Sequence, residues 1–432
     1  MPALMSVFTP THRLDYLLDA YESLKAQTYP HFEWVLVPNN GGRIPYEIQQ
    51  DPRVRIVQAP ADMKGIGALK RFACEQCLGD YFVELDHDDM LREDALEKIA
   101  AAAAETHAGF LYSDNVDFFP NWSCRRFGSQ FNWESYSTEW RGRQLTALRA
   151  FDPSPASLRR IEYAPNHVRV WAREAYTLAG GHDAGLVVCD DLDLMSRTYI
   201  SGVKFAHIPD CLYFYRLQPE GRRTNSWLEM NDELVALNEK HMRKMTQPLI
   251  DEWCRRNQLQ RLDAGGGINP EPGYTSVDMR DADILCDIGF EPLPIADNSV
   301  GMIRCHDFLE HIPPCNRNCA KHGEHVGCPV AVMNDFYRVL APGGWLRIKV
   351  PSTDGRGAWQ DPSHVSGWNS NSFWYYTKRE QAKFIRGLDC RYMSQHIENC
   401  FPSEWHKTHD ILYTLTDLVA LKGQRTPGLD QI

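Results

Sequence analysis

Short apolar runs alternate with amphipathic stretches over the first 115 residues; the rhythm then lapses, and a second series of the same kind starts near residue 259. Such β-α-β alternation demands a mostly parallel sheet with helices on its faces. Two series in 432 residues imply two such sheets, each with its own core. In the first series, residues 4–8, 33–37, 54–57 and 81–85 read as strands, and 16–27, 66–77 and 93–105 as helices. Residues 120–165, rich in Trp, Arg, Ser and Pro, read as an irregular insertion, after which a strand-helix-strand pattern returns over 168–215. In the second series, strands are expected at 260–264, 275–277, 302–305 and 345–350, and late strands near 391–399 and 411–421 would complete a seven-stranded sheet. The expected organisation is a domain over 1–225, a polar helical linker over 226–257 and a domain over 258–432.

Hydrophobic residues make up 43% and charged residues 24%, a globular composition. The net charge of −11 argues against duplex nucleic acid as the main partner, although Arg125 with Arg126 and Arg222 with Arg223 leave room for local basic patches. Small ligands and neutral or carbohydrate acceptors fit better. The opening MPALMSVFTP lacks the basic and apolar regions of a leader, and no window of about 18 apolar residues would span a membrane. Thirteen irregularly spaced cysteines then suggest reduced thiols and a cytoplasmic protein.

Directly after the fourth expected strand stands Glu84-Leu-Asp-His-Asp-Asp89. Carboxylates at i and i+2 on a strand-end loop can share one divalent ion and the diphosphate that it carries, and hard oxygen donors suit Mg²⁺ or Mn²⁺. An acidic solvated turn or a helix N-cap would show the same letters. The surrounding motifs are more specific. S-V-F-T-P-T-H over 6–12, S-L-K-A-Q-T-Y-P over 23–30, Ala179-Gly-Gly-His-Asp183 and Cys189-Asp-Asp-Leu-Asp-Leu194 occur in this order around the acidic strand end. Together, over about residues 4–216, they resemble family 2 glycosyltransferases of GT-A fold. The resemblance implies a nucleotide-sugar donor held by Thr9, Asn39, Lys70, Asp86 and Asp88, with Asp88 most directly on the metal. It implies that Asp191 is the base of an inverting transfer to a glycan or glycosylated acceptor. Pro38-Asn39-Asn40 stands where the family has paired acids, which leaves the nucleotide open.

The second series begins with Leu262-Asp-Ala-Gly-Gly-Gly-Ile-Asn269. A dinucleotide fingerprint would want Gly at 270, where Pro stands, and an acid roughly 20 positions on; Asp278 follows Gly265 by only 13. With Asp283-Ile-Leu-Cys-Asp-Ile288, His306-Asp-Phe-Leu-Glu-His311 and Arg338-Val-Leu-Ala-Pro-Gly-Gly344, residues 258–352 resemble class I S-adenosylmethionine methyltransferases. That resemblance implies a Rossmann-like seven-stranded fold with Asp263, Gly265, Gly267, Asp278, Asp287 and His306 around S-adenosylmethionine. His364, with Asp361, stands in a polar aromatic stretch and could deprotonate a sugar hydroxyl; a structural loop is an equal reading. Cys315, Cys319, His322, His325 and Cys328 lie within 14 residues and could hold a structural Zn²⁺, or be a polar loop with incidental cysteines or a disulfide. The leading expectation is an α/β protein combining metal-dependent glycosyl transfer with methyl transfer. The alternatives are one non-catalytic binding or scaffold domain, or a modified nucleic-acid base as acceptor.

Overall fold

Met5–Thr11, seven buried residues in a row, forms the first strand, the signature of a strand covered on both faces. In the computed structural model the described residues are 2–39, 42–63, 65–165, 167–186, 189–217, 232–314 (side chains from 239) and 327–428. They divide into two units, Met1–Glu252 and Trp253–Ile432. No helix among them is long and apolar enough to cross a membrane.

In chain order, the strands of the first unit are β1 (Met5–Thr11), β2 (Phe32–Pro38), β3 (Val54–Ile56), β4 (Tyr81–Glu84), β5 (Met90–Leu91), β6 (Phe110–Phe118), β7 (Ser135–Trp140), β8 (Arg143–Leu148), β9 (Arg169–Ala172) and β10 (Phe205–Arg216). They form one sheet in the order β3-β2-β1-β4-β9-β6-β10-β5, and β8 joins its hairpin partner β7 to β6. The left half, β3-β2-β1-β4, is parallel, so Thr11, Pro38 and Glu84 end on one edge of the sheet. β9 runs antiparallel to both β4 and β6. The helices are α1 (Leu17–Lys25), α2 (Tyr46–Gln50), α3 (Ile66–Gln76), α4 (Ala95–Thr106), α5 (Arg173–Leu178) and α6 (Asp190–Ile200). α1 shows why they form: Leu17, Ala20, Tyr21 and Leu24 fall at helical spacing and are all buried.

Residues 120–165 are not wholly irregular, because they contain the β7–β8 hairpin. β6 has no counterpart among the sequence expectations. Its polar residues hide it: Asp114, Asn115 and Asp117 interrupt the apolar pattern, yet all three are buried. Asn115 Nδ2 donates to Asp117 Oδ1 at 2.7 Å, whereas partners distant in sequence satisfy Asp114. Asp114 accepts hydrogen bonds from Tyr136 Oη at 3.0 Å and Ala150 N at 2.9 Å, and lies 2.8 Å from His207 Nε2.

Helix α7 (Asp232–Arg256) precedes the second unit. There the strands β11 (Gln260–Ala264), β12 (Thr275–Asp278), β13 (Ile284–Leu285), β14 (Val300–His306), β15 (Leu340–Pro351), β16 (Tyr392–Cys400) and β17 (Tyr413–Ala420) form a seven-stranded sheet. Its order is β13-β12-β11-β14-β15-β17-β16. The first five strands are mutually parallel, and β17 is antiparallel to β15 and β16. Helix α8 (Pro329–Val339) buries Val332, Met333, Phe336 and Val339 in the core of this unit, which also holds Val277, Ile303, Leu346 and Leu418.

Candidate functional site

β4 delivers Glu84 into a buried ion cluster. Its carboxylate lies 2.6 Å from Lys70 Nζ of α3 and 2.9 Å from Arg169 Nε of β9. Arg169 also binds Asp191, in the first turn of α6, and Lys70 Nζ stands 3.5 Å from Asp190 Oδ2. Charges this deep persist only when paired. Burial alone would push the Glu84 carboxyl up, but Arg169 and Lys70 outweigh it and hold it well below the usual range. The same contest splits the neighbouring acids: burial wins at Asp190, whose carboxyl rises, whereas Arg169 and Lys70 win at Asp191, whose carboxyl falls. Asp191 therefore stays ionised, and its side chain retains 17% exposure against 5% for Asp190. His182, fully buried, hydrogen-bonds Tyr176 Oη at 2.9 Å, and burial first, then Lys70, lowers its pKa to about 3.

The four residues after Leu85 divide their labour. Asp89 is structural: its oxygens accept Tyr213 Oη at 2.8 Å and the Arg216 amide at 2.7 Å, clamping β10. Asp86 and Asp88 are half-buried. Burial, and after it the charges of Glu84 and Asp88, push the Asp86 carboxyl up against the pull of Lys70. Crowded oxygen donors of one sign at a strand end fit a hard divalent cation. Asn39 follows β2 on the same sheet edge, and its Oδ1 is buried without a hydrogen-bond partner. Asn40 lies outside the described residues. Thr9 uses its hydroxyl inside the sheet, donating to Leu85 O at 2.6 Å and accepting from Trp34 Nε1 at 2.9 Å. Lys70 likewise spends its ammonium on Glu84 and Asp190. Arg169, Tyr213 and Arg216 were invisible in the sequence motifs, because the acids that they hold at the end of β4, Glu84, Asp89 and Asp88, lie 85–128 positions away.

In the second unit, the Gly-rich turn, Asp278 and His306 follow the ends of parallel strands β11, β12 and β14, hence one edge of the sheet, where open α/β sheets bind ligands. Gly265 has φ +79°, and a Cβ there would stand 2.5 Å from the Phe308 ring. Gly267 has φ +47°, and a Cβ there would lie 3.5 Å from Asp278 Oδ2, so the turn closes on the end of β12. Asp263 is buried beneath, held by Arg304 Nη1 at 2.8 and 2.9 Å and by the Glu271 amide at 2.7 Å. Asp287 is half-buried, and its carbonyl accepts the amides of Phe290 and Glu291. At His306, burial and then Arg304 lower the pKa to about 3, leaving a neutral ring whose Nε2 has no partner. His364 Nε2 lies 3.9 Å from Asp361 Oδ2. Cys315, Cys319, His322 and His325 lie outside the described residues; Cys328 is buried at the N-cap of α8.

Three comparisons bear on this geometry. TuaG of Bacillus subtilis (strain 168), whose name assigns it to teichuronic acid biosynthesis as a glycosyltransferase, is 29% identical over 116 residues, which are 26% of this chain and 46% of TuaG. Chondroitin synthase of Escherichia coli is 23% identical over 275 residues, 60% of this chain and 37% of the synthase. The chain thus spans less than half the length of either relative. The crystal structure of S. aureus TarS 1–349 in complex with UDP-GlcNAc aligns at a TM-score of 0.43 and 16% identity, covering 58% of this chain and 73% of that one. The model of Glycosyl transferase family 2 matches residues 6–164, from β1 to just short of β9 and thus short of Asp191; this stretch, of mixed α/β fold, carries the parallel β3-β2-β1-β4 sheet and the acidic strand end.

Proposed function

We propose that the first unit transfers a sugar from a nucleotide sugar to a glycan acceptor with inversion, and that the second, a class I methyltransferase fold, methylates a glycan or related acceptor. One observation carries the sugar reading: the Lys70–Glu84–Arg169 ion cluster ties the acidic strand end to Asp191. Asp88, with Asp86, would hold Mg²⁺ or Mn²⁺, which offsets the diphosphate charge when bound. Asn39 offers its unpartnered amide oxygen to the nucleobase edge. Asp191, ionised and partly exposed, takes the acceptor hydroxyl proton as that oxygen attacks the anomeric carbon and the bond from that carbon to the diphosphate breaks, releasing the nucleoside diphosphate. The names of TuaG and chondroitin synthase support a glycan acceptor.

The methyl reading is supported by the strand order β13-β12-β11-β14-β15-β17-β16, with its antiparallel β17, and by the left-handed Gly265 and Gly267 beside Asp278. Gly265 and Gly267 would line the methionine part, Asp278 the ribose hydroxyls and Asp287 the adenine, with Asp263 supporting the turn, His306 at the strand end and His364 on the acceptor side. A structural Zn²⁺ at Cys315, Cys319, Cys328 and His322 or His325 belongs to the same proposal; metal analysis of protein purified without chelator checks it, and absence of zinc would refute it.

The test uses the full chain: nucleotide-sugar turnover with Mn²⁺, and S-adenosylmethionine binding by calorimetry. Asp191→Asn should cut sugar transfer by about 10²–10⁴-fold and leave S-adenosylmethionine binding unchanged. Failure of both donors to bind would overturn the reading.

A further inference from the structure

In the second unit, Leu309–His311 forms a single 3-10 turn just after β14. The segment after β15 folds back on it: the amides of Val365 and Ser366 donate to Glu310 O at 2.8 and 3.0 Å, and Ser366 Oγ donates to Leu309 O at 2.9 Å. This lock brings one ligand atom each of Glu310, His311 and His364 within 4.8 Å of one another. Glu310 is 2% exposed, and its Oε2 has no hydrogen-bond partner. A buried carboxylate oxygen left bare is costly unless something else occupies it. Both histidine rings are anchored by backbone carbonyls. His364 Nδ1 lies 3.1 Å from Ala358 O, and His311 Nδ1 lies 3.3 Å from Ser363 O. Carbonyls only accept, so each Nδ1 carries the proton and each Nε2 keeps a lone pair. A backbone carbonyl orienting the far nitrogen is how proteins present histidine to a metal.

We propose that Glu310, His311 and His364 bind a divalent transition-metal ion. Two imidazoles and one carboxylate suit Zn²⁺, Mn²⁺ or Fe²⁺ rather than Ca²⁺, and leave coordination positions open. Tetrahedral ligand atoms about 2.1 Å from a metal stand roughly 3.4 Å apart, so atoms within 4.8 Å of one another close by no more than about 1.4 Å, part of which the exposed His311 can supply. Asp361 Oδ2, 3.9 Å from His364 Nε2, borders the open side. The site lies at the edge of the sheet that carries the Gly265 turn and His306, so the open positions take the hydroxyl or carboxylate oxygens of the methyl acceptor; this role rests on the methyl reading, whereas the metal site does not. His364 is then a ligand and not the base.

Co²⁺, added alone to the full chain with excess Mg²⁺ covering the oxygen-rich site at Asp88, is the probe. Nitrogen-ligated, low-coordinate Co²⁺ absorbs strongly in the visible. The expected result is a histidine-dependent band, the part of the wild-type spectrum lost in His364→Ala and in the surface variant His311→Ala and retained in Asp88→Ala, with affinity at that site falling by more than the roughly 10–100-fold that losing an outer-shell partner costs; Co²⁺ at the cysteine loop would absorb equally in all four proteins and cancels in the difference. Identical Co²⁺ spectra in the wild type and both histidine variants overturn the site. S-adenosylmethionine calorimetry on the same samples separates the two ideas. Cofactor binding without the histidine-dependent band refutes the site and keeps the methyl reading; the band without cofactor binding keeps the site and refutes that reading.

Discussion

Arg169 is the residue on which the first site turns. It neutralises Glu84 and Asp191 together from a strand that is antiparallel to the one bearing Glu84. Arg169→Met would strand the buried Glu84 carboxylate and the partly exposed one of Asp191, and a broken buried pair costs about 3–5 kcal/mol; urea unfolding should show that loss. Asp117 supplies a pH signature. Burial lifts its carboxyl from an ordinary 3.8 to about 6, against the pull of Arg125. The folded state then binds the proton more tightly, so this group favours folding fully below pH 3.8, and the contribution fades as pH rises through about 6. Roughly 3 kcal/mol is at stake, from about two pKa units. Asp117→Asn, which keeps an amide oxygen for Asn115 Nδ2, should gain up to that much on wild type between pH 4 and 7.5. Equal pH dependence of unfolding in the two proteins would contradict it.

Among elements, the Gly-rich turn after β11 and strand β6 show opposite legibility. The turn was readable because Leu262-Asp-Ala-Gly-Gly-Gly is a local signal, and Gly265 and Gly267 do adopt positive φ. Gly265→Ala meets both a left-handed φ and the Phe308 ring at 2.5 Å, so S-adenosylmethionine affinity measured by calorimetry should fall at least about 10-fold, with nucleotide-sugar turnover intact. β6 was unreadable because its buried polar residues break the apolar pattern, and what satisfies Asp114 comes from β7, β10 and the stretch after β8. Tyr136→Phe, which takes one donor from Asp114, should cost about 1–3 kcal/mol in chemical unfolding.

At the scale of the whole molecule, the two units have separate cores: one gathers residues from Met5 to Tyr213, the other from Leu262 to Ala420. Ligands that bind one folded unit stabilise that unit alone. Calorimetric unfolding should therefore show two transitions, one raised by a nucleotide sugar with Mn²⁺ and the other by S-adenosylmethionine; a single transition raised equally by both would rule this out. The alternation of apolar runs and the Gly and Asp motifs at strand ends determined by themselves that there are two sheets and which loops carry the acids and glycines, because period and turn chemistry are local properties of a chain. Only the tertiary structure decided that Lys70, Glu84, Arg169 and Asp191 form one cluster, that Asp89 clamps β10 while Asp86 and Asp88 stay half-buried, and that Glu310, His311 and His364 converge. Those contacts join residues from different elements of the fold, and the burial that sets their charges exists only once the sheets have formed.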